Sequence, residues 1–368
     1  MSKRFLPVLV IAIFSAQFLL SQQATKNSTT PTISKPVQQA NPAVKQAETP
    51  KPAVTEAPVQ PDYYQLAKST DVSKRRSAID NIGRKRDPKD TPILIEALSD
   101  SDPGVKISAI DSLGLMREQL ATDKIVLALN DKEPQVRQSA CVALGYIGEP
   151  KTQIALIERV KSDPSNSVRS QAILILGNMH AQPAVDPLIQ LLTDKNLDIR
   201  LLSAEALGKI GDPKASSVIR NCLLNSISEM KNETDSNRLN QYKRLITISV
   251  KALGNLKDVT SEETLTELLD NDEKSIKVSA ASALGSIGNK SGLSIAMKLS
   301  EDTDYLIKAQ AIEALGNIGD SSAIPALEKI ANTDSNSNIK EAARTSLYRL
   351  GWKPAPVKPA TKKEPVKK

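Results

Sequence analysis

The chain has 368 residues, with 49 Lys and Arg against 42 Asp and Glu, and it contains two cysteines and one histidine. This inventory excludes a disulfide-rich scaffold and a metal site built from several Cys and His ligands. The net charge of +7 comes from the two ends of the chain. Residues 1–61 carry +4 and residues 353–368 carry +5, so the central residues 62–352 carry −2. A near-neutral centre argues against nucleic-acid binding, which needs a folded surface that neutralises phosphates.

The first 21 residues have the pattern of an export signal. Lys3 and Arg4 precede an apolar run over residues 5–20, which is followed by Ser21. This run is short for a membrane helix, which needs about 20 apolar residues. The sequence therefore predicts a signal peptide over residues 1–21, and a protein that is periplasmic or associated with the cell envelope of a bacterium. An uncleaved N-terminal anchor and an ordinary buried helix are the alternatives. No cysteine lies near the cleavage site to accept a lipid.

Proline-rich sequence adjoins both ends of the central segment. Residues 22–61 contain seven prolines and no glycine, and residues 353–368 combine four prolines with six lysines. Such sequences bury too little apolar surface to fold, so we predict a disordered linker over residues 22–61 and a disordered tail over residues 353–368. The lysines of the tail have two interpretations: they keep it soluble, or they attract an anionic envelope surface.

A Leu-Gly pair recurs through the central segment at nearly constant spacing. Successive glycines are 31, 32, 31, 46, 31 and 31 residues apart, at Gly114, Gly145, Gly177, Gly208, Gly254, Gly285 and Gly316. A fixed period of this length is typical of stacked-repeat proteins, in which each repeat packs only against its neighbours. We therefore predict an all-α solenoid over residues 62–352, and its extended surface makes binding the first functional question.

Alignment on these glycines shows the part that each position plays. The residue five before the glycine is always small, as at Ala109 and Ala140, and the residues nine before and two after it are apolar. These positions fall on one side of a helix and predict the core. A second apolar-periodic segment, such as residues 92–98, precedes each of these helices. Each repeat is therefore predicted to be a helical hairpin.

Two charged positions of the aligned repeats recur with the same period. One is basic, eight residues before the glycine, and the other is mostly Asp, fourteen residues before it. An aspartate after the first helix can accept backbone N–H groups of the inter-helix turn and pair with a basic residue of the neighbouring hairpin. We therefore predict a structural charge ladder, formed by Arg75, Lys106, Arg137, Arg169, Arg200, Lys277 and Lys308 with Asp100, Asp131, Asp163, Asp194, Asp302 and Asp334.

The repeat resembles the HEAT family, in its short form found in bilin-lyase-like proteins. Residues 139–148, Ser-Ala-Cys-Val-Ala-Leu-Gly-Tyr-Ile-Gly, are close to the family pattern, and the similarity covers about 290 residues. The resemblance implies a right-handed solenoid of about nine hairpins, with the second helices on its concave face. The first hairpin (62–86) and the last (320–352, with Tyr348 in place of the glycine) depart from the pattern as terminal caps do, and Trp352 is expected to cover the end.

The interval between Gly208 and Gly254 is 46 residues, so the sixth repeat carries an insertion around residues 225–243. Its polar stretch over residues 229–238 predicts a longer first helix followed by an exposed loop. Such insertions serve binding or hinge functions in some solenoids, and a neutral insertion is the alternative.

The chain offers little for catalysis. His180 stands where other repeats have a glycine, so we predict a turn residue; the other glycines are expected to end helices, not to form phosphate-binding loops. Cys141 and Cys222 are predicted to be buried free thiols. The His-Glu pairs that bind iron in the HEAT-repeat deoxyhypusine hydroxylases are missing. Bilin lyases need no such metal set, but an export signal argues against that activity. We predict no enzyme activity, no metal and no cofactor.

A binding scaffold is the remaining hypothesis. Positions seven and three before the glycine point farthest from the core, and the predicted partner-binding residues there are Ile107, Gln138, Val142, Leu174, Leu201, Glu205, Lys251 and Val278. An apolar patch on this concave face predicts a protein or peptide partner, unless adjacent repeats bury some of these side chains. Replacing Leu174 and Leu201 by aspartate is expected to abolish partner binding without unfolding. The alternatives are an envelope-associated structural protein attached by its basic tails and a bilin-lyase-like accessory protein.

Overall fold

The computed structural model describes residues 61–353, so the predicted signal peptide, residues 22–60 of the linker and residues 354–368 of the tail lie outside the described residues. The described part forms 18 α-helices and no strand. In chain order they are α1 Tyr63–Leu66, α2 Val72–Lys85, α3 Thr91–Ala97, α4 Pro103–Met116, α5 Thr122–Ala128, α6 Pro134–Ile147, α7 Gln153–Ser162, α8 Asn166–Asn178, α9 Val185–Gln190, α10 Leu197–Ile210, α11 Ser216–Lys231, α12 Ser236–Asn255, α13 Glu262–Glu267, α14 Lys274–Ser286, α15 Leu293–Leu299, α16 Tyr305–Ile318, α17 Ile324–Thr333 and α18 Ser337–Arg349.

The helices pair into hairpins 1 to 9 along residues 61–353, each with an odd-numbered first helix and an even-numbered second helix. Every second helix packs against its own first helix, and those of hairpins 1 to 8 also pack against the second helix of the next hairpin. The predicted all-α solenoid is confirmed. Its core is continuous, because the leucine of each Leu-Gly pair and the small residue five before each glycine are all 0% exposed. Full burial of one leucine is worth about 1.5–3 kcal/mol, so the repeated pattern stabilises each hairpin through its neighbours.

The glycines of the Leu-Gly pairs lie inside the second helices. A Cβ atom on Gly114 would be 2.8 Å from Cα of Ala143 in the next second helix, and one on Gly177 would be 2.9 Å from Cα of Ala206. Because non-bonded carbon atoms do not approach so closely, these glycines permit close contact between adjacent helices. The expectation that glycines end helices is therefore wrong for the Leu-Gly pairs. It holds for glycines three residues later, such as Gly211, which caps α10 at φ 82°.

The charge ladder joins most adjacent hairpins. Its most buried pair is Arg137 with Asp163, in which two guanidinium nitrogens donate to the two carboxylate oxygens at 2.8 Å. The Asp163 carboxylate also accepts the backbone N–H of Ser165 at 2.9 Å. Each aspartate thus links the inter-helix turn of its own hairpin to the second helix of the preceding one. The pairs formed in this way are Arg75–Asp100, Lys106–Asp131, Arg137–Asp163, Arg169–Asp194 and Lys308–Asp334.

Two ladder assignments are wrong. Asp302 pairs with Lys274, at 2.7 Å, and not with Lys277; Lys274 lies nearly one turn earlier in α14. Lys277 has no ion pair within residues 61–353. Arg200 pairs with Glu229, at 2.9 Å, because the insertion extends α11 past the place where other hairpins carry the aspartate.

The insertion in hairpin 6 lengthens both of its helices. Helix α11 has 16 residues and α12 has 20, and only residues 232–235 form the turn between them. The predicted longer first helix is therefore present, whereas the predicted exposed loop is mostly the first part of α12. The extension is attached to both neighbours: Arg200 contacts Glu229 on one side, and Lys243 pairs with Glu273 of hairpin 7 on the other.

Aromatic side chains cover both ends of the stack. At the first end, Tyr64 donates its hydroxyl to the buried carboxylate of Asp90 at 2.7 Å, and this hydrogen bond raises the pKa of Tyr64. At the last end, Trp352 packs against the core and donates Nε1–H to Glu328 at 2.5 Å. Tyr348 occupies the glycine position and is 58% exposed. A further second helix could not approach there as closely as it does at a glycine, so the stack ends.

Candidate protein-binding face

Each second helix presents two positions to the solvent, three residues before the reference glycine and one residue after it. Hydrogen bonds show that these positions lie side by side along the stack: Lys209 Nζ donates to Asn178 Oδ1 at 3.2 Å, and Asn317 Nδ2 donates to Ser282 Oγ at 2.9 Å. We call this surface the second-helix face. In hairpins 1 to 9 its residues are Asp80 and Arg84, Asp111 and Leu115, Val142 and Tyr146, Leu174 and Asn178, Glu205 and Lys209, Lys251 and Asn255, Ser282 and Ser286, Glu313 and Asn317, and Thr345 and Arg349.

Apolar residues of this face are confined to hairpins 2 to 4. Leu115 is 49% exposed, and Val142, Tyr146 and Leu174 are half-buried. We call these four residues the apolar strip. Both flanks of the strip along the face are polar, with Asp80 and Arg84 in hairpin 1 and Glu205 and Lys209 in hairpin 5. The strip is therefore a local feature of the molecule and not a general property of its second helices.

Two predicted binding residues are not on the surface. Leu201 is 6% exposed and Val278 is 0% exposed, and both belong to the hydrophobic core. Both lie seven residues before the glycine, on α10 and α14, and the neighbouring helices cover their side chains; Gln138 lies at the same position of α6 and is only half-buried. Ile107 occupies the same position and also packs partly against the core. Aspartate at Leu201 would be a buried unpaired charge, so the expected tolerance of that substitution is wrong.

The other predicted residues reach the solvent. Val142 and Leu174 belong to the apolar strip, and Gln138, Glu205 and Lys251 are half-buried. Glu205 pairs with Lys209 of its own helix at 2.7 Å. Lys251 lies two hairpins away from the strip. The structure therefore brings together Gln138, Val142 and Leu174, and separates Lys251 from them.

The sequence analysis missed Leu115, Tyr146 and Asp111. Leu115 and Tyr146 directly follow the glycine, where every other repeat has Arg, Lys, Asn or Ser. That contrast was visible in the sequence and could have identified both residues. This position lies nearer the end of the helix than the positions seven and three before the glycine, where helical geometry predicts the outward-facing residues.

Asp111 is the charged residue next to the apolar strip. It lies between Ile107 and Leu115 on α4, one helical turn from each, and accepts a hydrogen bond from Ser139 Oγ of α6 at 2.8 Å. The Asp111 side chain is exposed, and protein atoms beside it partly desolvate the carboxylate and raise its pKa; the Ser139 hydrogen bond opposes the shift, and the negative charge of Asp80 adds to it. Asp111 forms no ion pair within the described range.

The groups that could carry out chemistry lie away from this face. Cys141 is 0% exposed, and burial raises the pKa of its thiol to about 12. Burial also raises the pKa of the Cys222 thiol. His180 has a φ of 49°, in the left-handed region, and its Nδ1 contacts the carbonyl oxygen of Lys209 at 2.6 Å. These observations agree with two buried thiols and a turn histidine.

A second concave surface lies on the side of the first helices. Glu262, Glu263, Glu267 and Asp270 line a shallow depression with Val259, Thr260 and Thr266. Its acidic side chains do not form a metal-binding group: nowhere in residues 61–353 do three His, Cys, Asp or Glu side chains come together as metal ligands would. Within that range, no helix has the length and apolar character needed to span a membrane.

Comparison with known proteins identifies the repeat. The family model for HEAT repeats matches residues 62–145, 108–166, 154–232 and 262–348. No curated protein sequence matches the chain. An importin beta crystal structure has a TM-score of 0.51 at 13% identity, over 78% of this chain and 52% of importin beta.

Two further structures are more distant. An engineered protein is 19% identical over 78% of this chain and 87% of its own, with a TM-score of 0.44. The CpcE–CpcF phycocyanin lyase complex from Nostoc sp. PCC7120 is 18% identical over 75% of this chain and 98% of its own, with a TM-score of 0.38. At these identities the likeness to importin beta shows the fold alone.

Proposed function

Because the chain belongs to the HEAT-repeat family, we propose that it is a non-enzymatic scaffold that binds a protein or peptide partner on the second-helix face of hairpins 2 to 4. The observation that carries this proposal is the apolar strip. Leu115, Val142, Tyr146 and Leu174 occupy four of the six positions of the face in these hairpins. Adjacent apolar residues on a surface that is otherwise polar are typical of an interaction site.

The surroundings of the strip support binding. The centre of a protein interface is more apolar than its rim, aromatic residues such as Tyr contribute a large share of the affinity, and polar residues around the centre exclude water. The strip has this arrangement, since Asp111 and Ser139 lie at one side and the Glu205–Lys209 pair lies beyond Leu174. The helices beneath are held by core contacts and by the charge ladder, so little order has to be gained on binding.

Photo-crosslinking tests the position of the site. A photoreactive amino acid placed at Leu174 is expected to form a specific crosslinked product in the native extract, because Leu174 lies inside the apolar strip. The matched control is the same amino acid at Leu120, which is 79% exposed but lies in the turn before α5, outside the second-helix face. The same product from both positions, or no product from Leu174, would contradict the proposal.

Export remains part of the proposal. Its support is the sequence alone: Lys3 and Arg4 followed by the apolar residues 5–20. N-terminal sequencing of the mature protein is expected to begin at Gln22. A protein that retains Met1 or Ser2 and is found in the membrane fraction would indicate the uncleaved anchor; retention in the cytoplasm would contradict export.

The six lysines of residues 353–368 support a second candidate function, attachment to an anionic envelope surface. Deleting these residues tests it. Release of the truncated protein from the envelope fraction, with crosslinking at Leu174 unchanged, would show that the tail attaches the protein and the face binds the partner. Unchanged fractionation would contradict attachment by the tail.

A further inference from the structure

We propose that the partner segment on this face carries one Lys or Arg beside apolar side chains, with its positive charge on Asp111 and its apolar groups on the strip. The inference rests on the proposed function and specifies the chemistry of the ligand. Asp111 is the only charged residue among the six face positions of hairpins 2 to 4 in the described structure. The partner's charge therefore has one position available in this part of the face.

The Asp111 carboxylate lies at the exposed edge of the apolar strip. Ile107 and Leu115 lie one turn before and after it on α4, and Val142 lies on the neighbouring helix α6. Ser139 Oγ donates to Asp111 Oδ1 at 2.8 Å and fixes the orientation of the side chain. The second carboxylate oxygen has no hydrogen-bond partner among the described residues. A cation that contacts this oxygen would also touch Leu115 or Val142 with the apolar part of its side chain, as Lys and Arg do.

The charges around Asp111 leave it uncompensated. Partial desolvation and the negative charge of the neighbouring Asp80 raise the pKa of Asp111. Arg76 and Arg84 lie one turn before and after Asp80 on α2, and neither forms an ion pair with Asp111. By contrast, Glu205 on the same face is already paired with Lys209 at 2.7 Å. An exposed anion without a paired cation is stabilised by a cation and destabilised by a further anion.

Other ligands fit these observations less well. An acidic segment or a nucleic-acid phosphate would place a second negative charge beside Asp111. A wholly apolar segment would desolvate the carboxylate further without pairing it, which costs free energy. A metal ion would find one carboxylate and one hydroxyl, and no group of three suitable ligands exists in residues 61–353. A basic residue flanked by apolar ones satisfies both parts of the surface.

A peptide array tests this inference on the full-length protein. The probes are immobilised 12-residue peptides of Leu, Val and Ser that differ only in one central residue, Lys, Gln or Glu. Wild-type protein is expected to bind the Lys peptides about tenfold more tightly than the Gln peptides, and the Glu peptides least; tenfold corresponds to about 1.4 kcal/mol. The Asp111→Asn variant is expected to bind the Lys and Gln peptides equally.

Two controls separate the possible failures. The Asp123→Asn variant removes an exposed carboxylate of the first-helix side, whose side chain is 88% exposed, and it should behave as wild type. Equal binding of the three peptide series by wild-type protein would overturn the inference and leave the proposed function standing. Binding that is the same in wild type and in a Leu174→Asp variant, or absent from both, would overturn both. Unchanged helical circular dichroism in each variant excludes unfolding as the cause.

Discussion

The glycines of the Leu-Gly pairs have two opposing effects on stability. Glycine in a helix costs about 1 kcal/mol relative to alanine, yet a Cβ atom on Gly177 would lie 2.8 Å from Cβ of Ala206. In a Gly177→Ala variant the steric overlap should outweigh the gain in helix propensity, because two packed helices would have to move apart. This contact explains why the same residue type recurs at the structural period.

We predict that Gly177→Ala destabilises the protein by about 1–3 kcal/mol, the usual cost of overpacking. Urea unfolding followed by circular dichroism measures the change. The double variant Gly177→Ala with Ala206→Gly should recover only part of the loss, because it removes the contact with Cβ of Ala206 while Cα of residue 206 stays 2.9 Å from the added Cβ atom. A single variant that is more stable than wild type would mean that helix propensity outweighs the contact.

Arg137 and Asp163 differ from surface ion pairs in their burial. Their side chains are 7% and 0% exposed, so removal of the arginine leaves an unpaired buried carboxylate. Arg159 lies 3.9 Å from that carboxylate and compensates part of the loss.

Arg137→Leu is therefore expected to cost about 3 kcal/mol, the lower end for a broken buried pair. The matched comparison is Lys329→Leu. The side chains of Lys329 and its partner Glu301 are each 70% exposed, so this substitution should cost less than about 1 kcal/mol. Denaturant unfolding measures both variants. Equal effects would contradict the importance of burial.

At the level of the helices, the sequence predicted the regular hairpins well. Small residues and apolar residues at a fixed distance from each glycine identify a helix by its packing, and the positions so assigned are buried. The helices of the insertion in hairpin 6 were harder to predict, because α11 and α12 extend beyond the neighbouring hairpins and need few apolar residues in the extended part. Tyr242 is the buried side chain in that part of α12, and one tyrosine does not produce a periodic pattern.

The candidate site was only partly predictable. Helical geometry alone treats positions seven and three before the glycine as equally exposed. At the first of these positions, packing buries Leu201 and Val278 but leaves Ile107 and Gln138 half-buried. At the second, Val142 and Leu174 are half-buried as well. The angle between neighbouring helices decides this difference, and the sequence of a single hairpin does not contain it.

The extended hairpin should be the first place that a protease cuts within residues 61–353. Lys231 is exposed at the end of α11, and the turn over residues 232–235 follows it. Brief trypsin treatment is expected to cleave after Lys231 and leave two fragments that remain associated through the core. Mass spectrometry identifies the site. Earlier cleavage inside another hairpin would contradict the described helix ends.

The whole solenoid should lose stability in acid. Ion pairs and backbone N–H donors lower the pKa values of the ladder residues Asp100, Asp131, Asp163, Asp194, Asp302 and Asp334, and those of Asp258 and Asp320, the last to about 2. A carboxylate with a lowered pKa in the folded state stabilises the fold above its unfolded value, about 3.9. That contribution disappears as the pH falls through the lower, folded value.

We therefore expect a nearly constant urea midpoint from pH 6 to 8 and a decrease from about pH 4 to pH 2. Asp111 acts in the opposite direction, because its raised pKa favours the protonated folded state at low pH, but one residue does not offset eight. Chemical unfolding across this pH range measures the effect. A midpoint that stays constant down to pH 2 would show that the ladder contributes nothing to stability.

The central claim concerns the whole molecule: a partner is bound by the second-helix face of hairpins 2 to 4. Its most direct test is the affinity of the identified partner for full-length protein carrying Val142→Asp and Leu174→Asp, compared with a Leu120→Asp and Leu127→Asp control. Leu120 and Leu127 are 79% and 64% exposed and lie outside this face. We expect at least a hundredfold loss of affinity for the first variant, about 2.7 kcal/mol, no loss for the control, and unchanged helical content in both. Equal affinity of the two variants would contradict it.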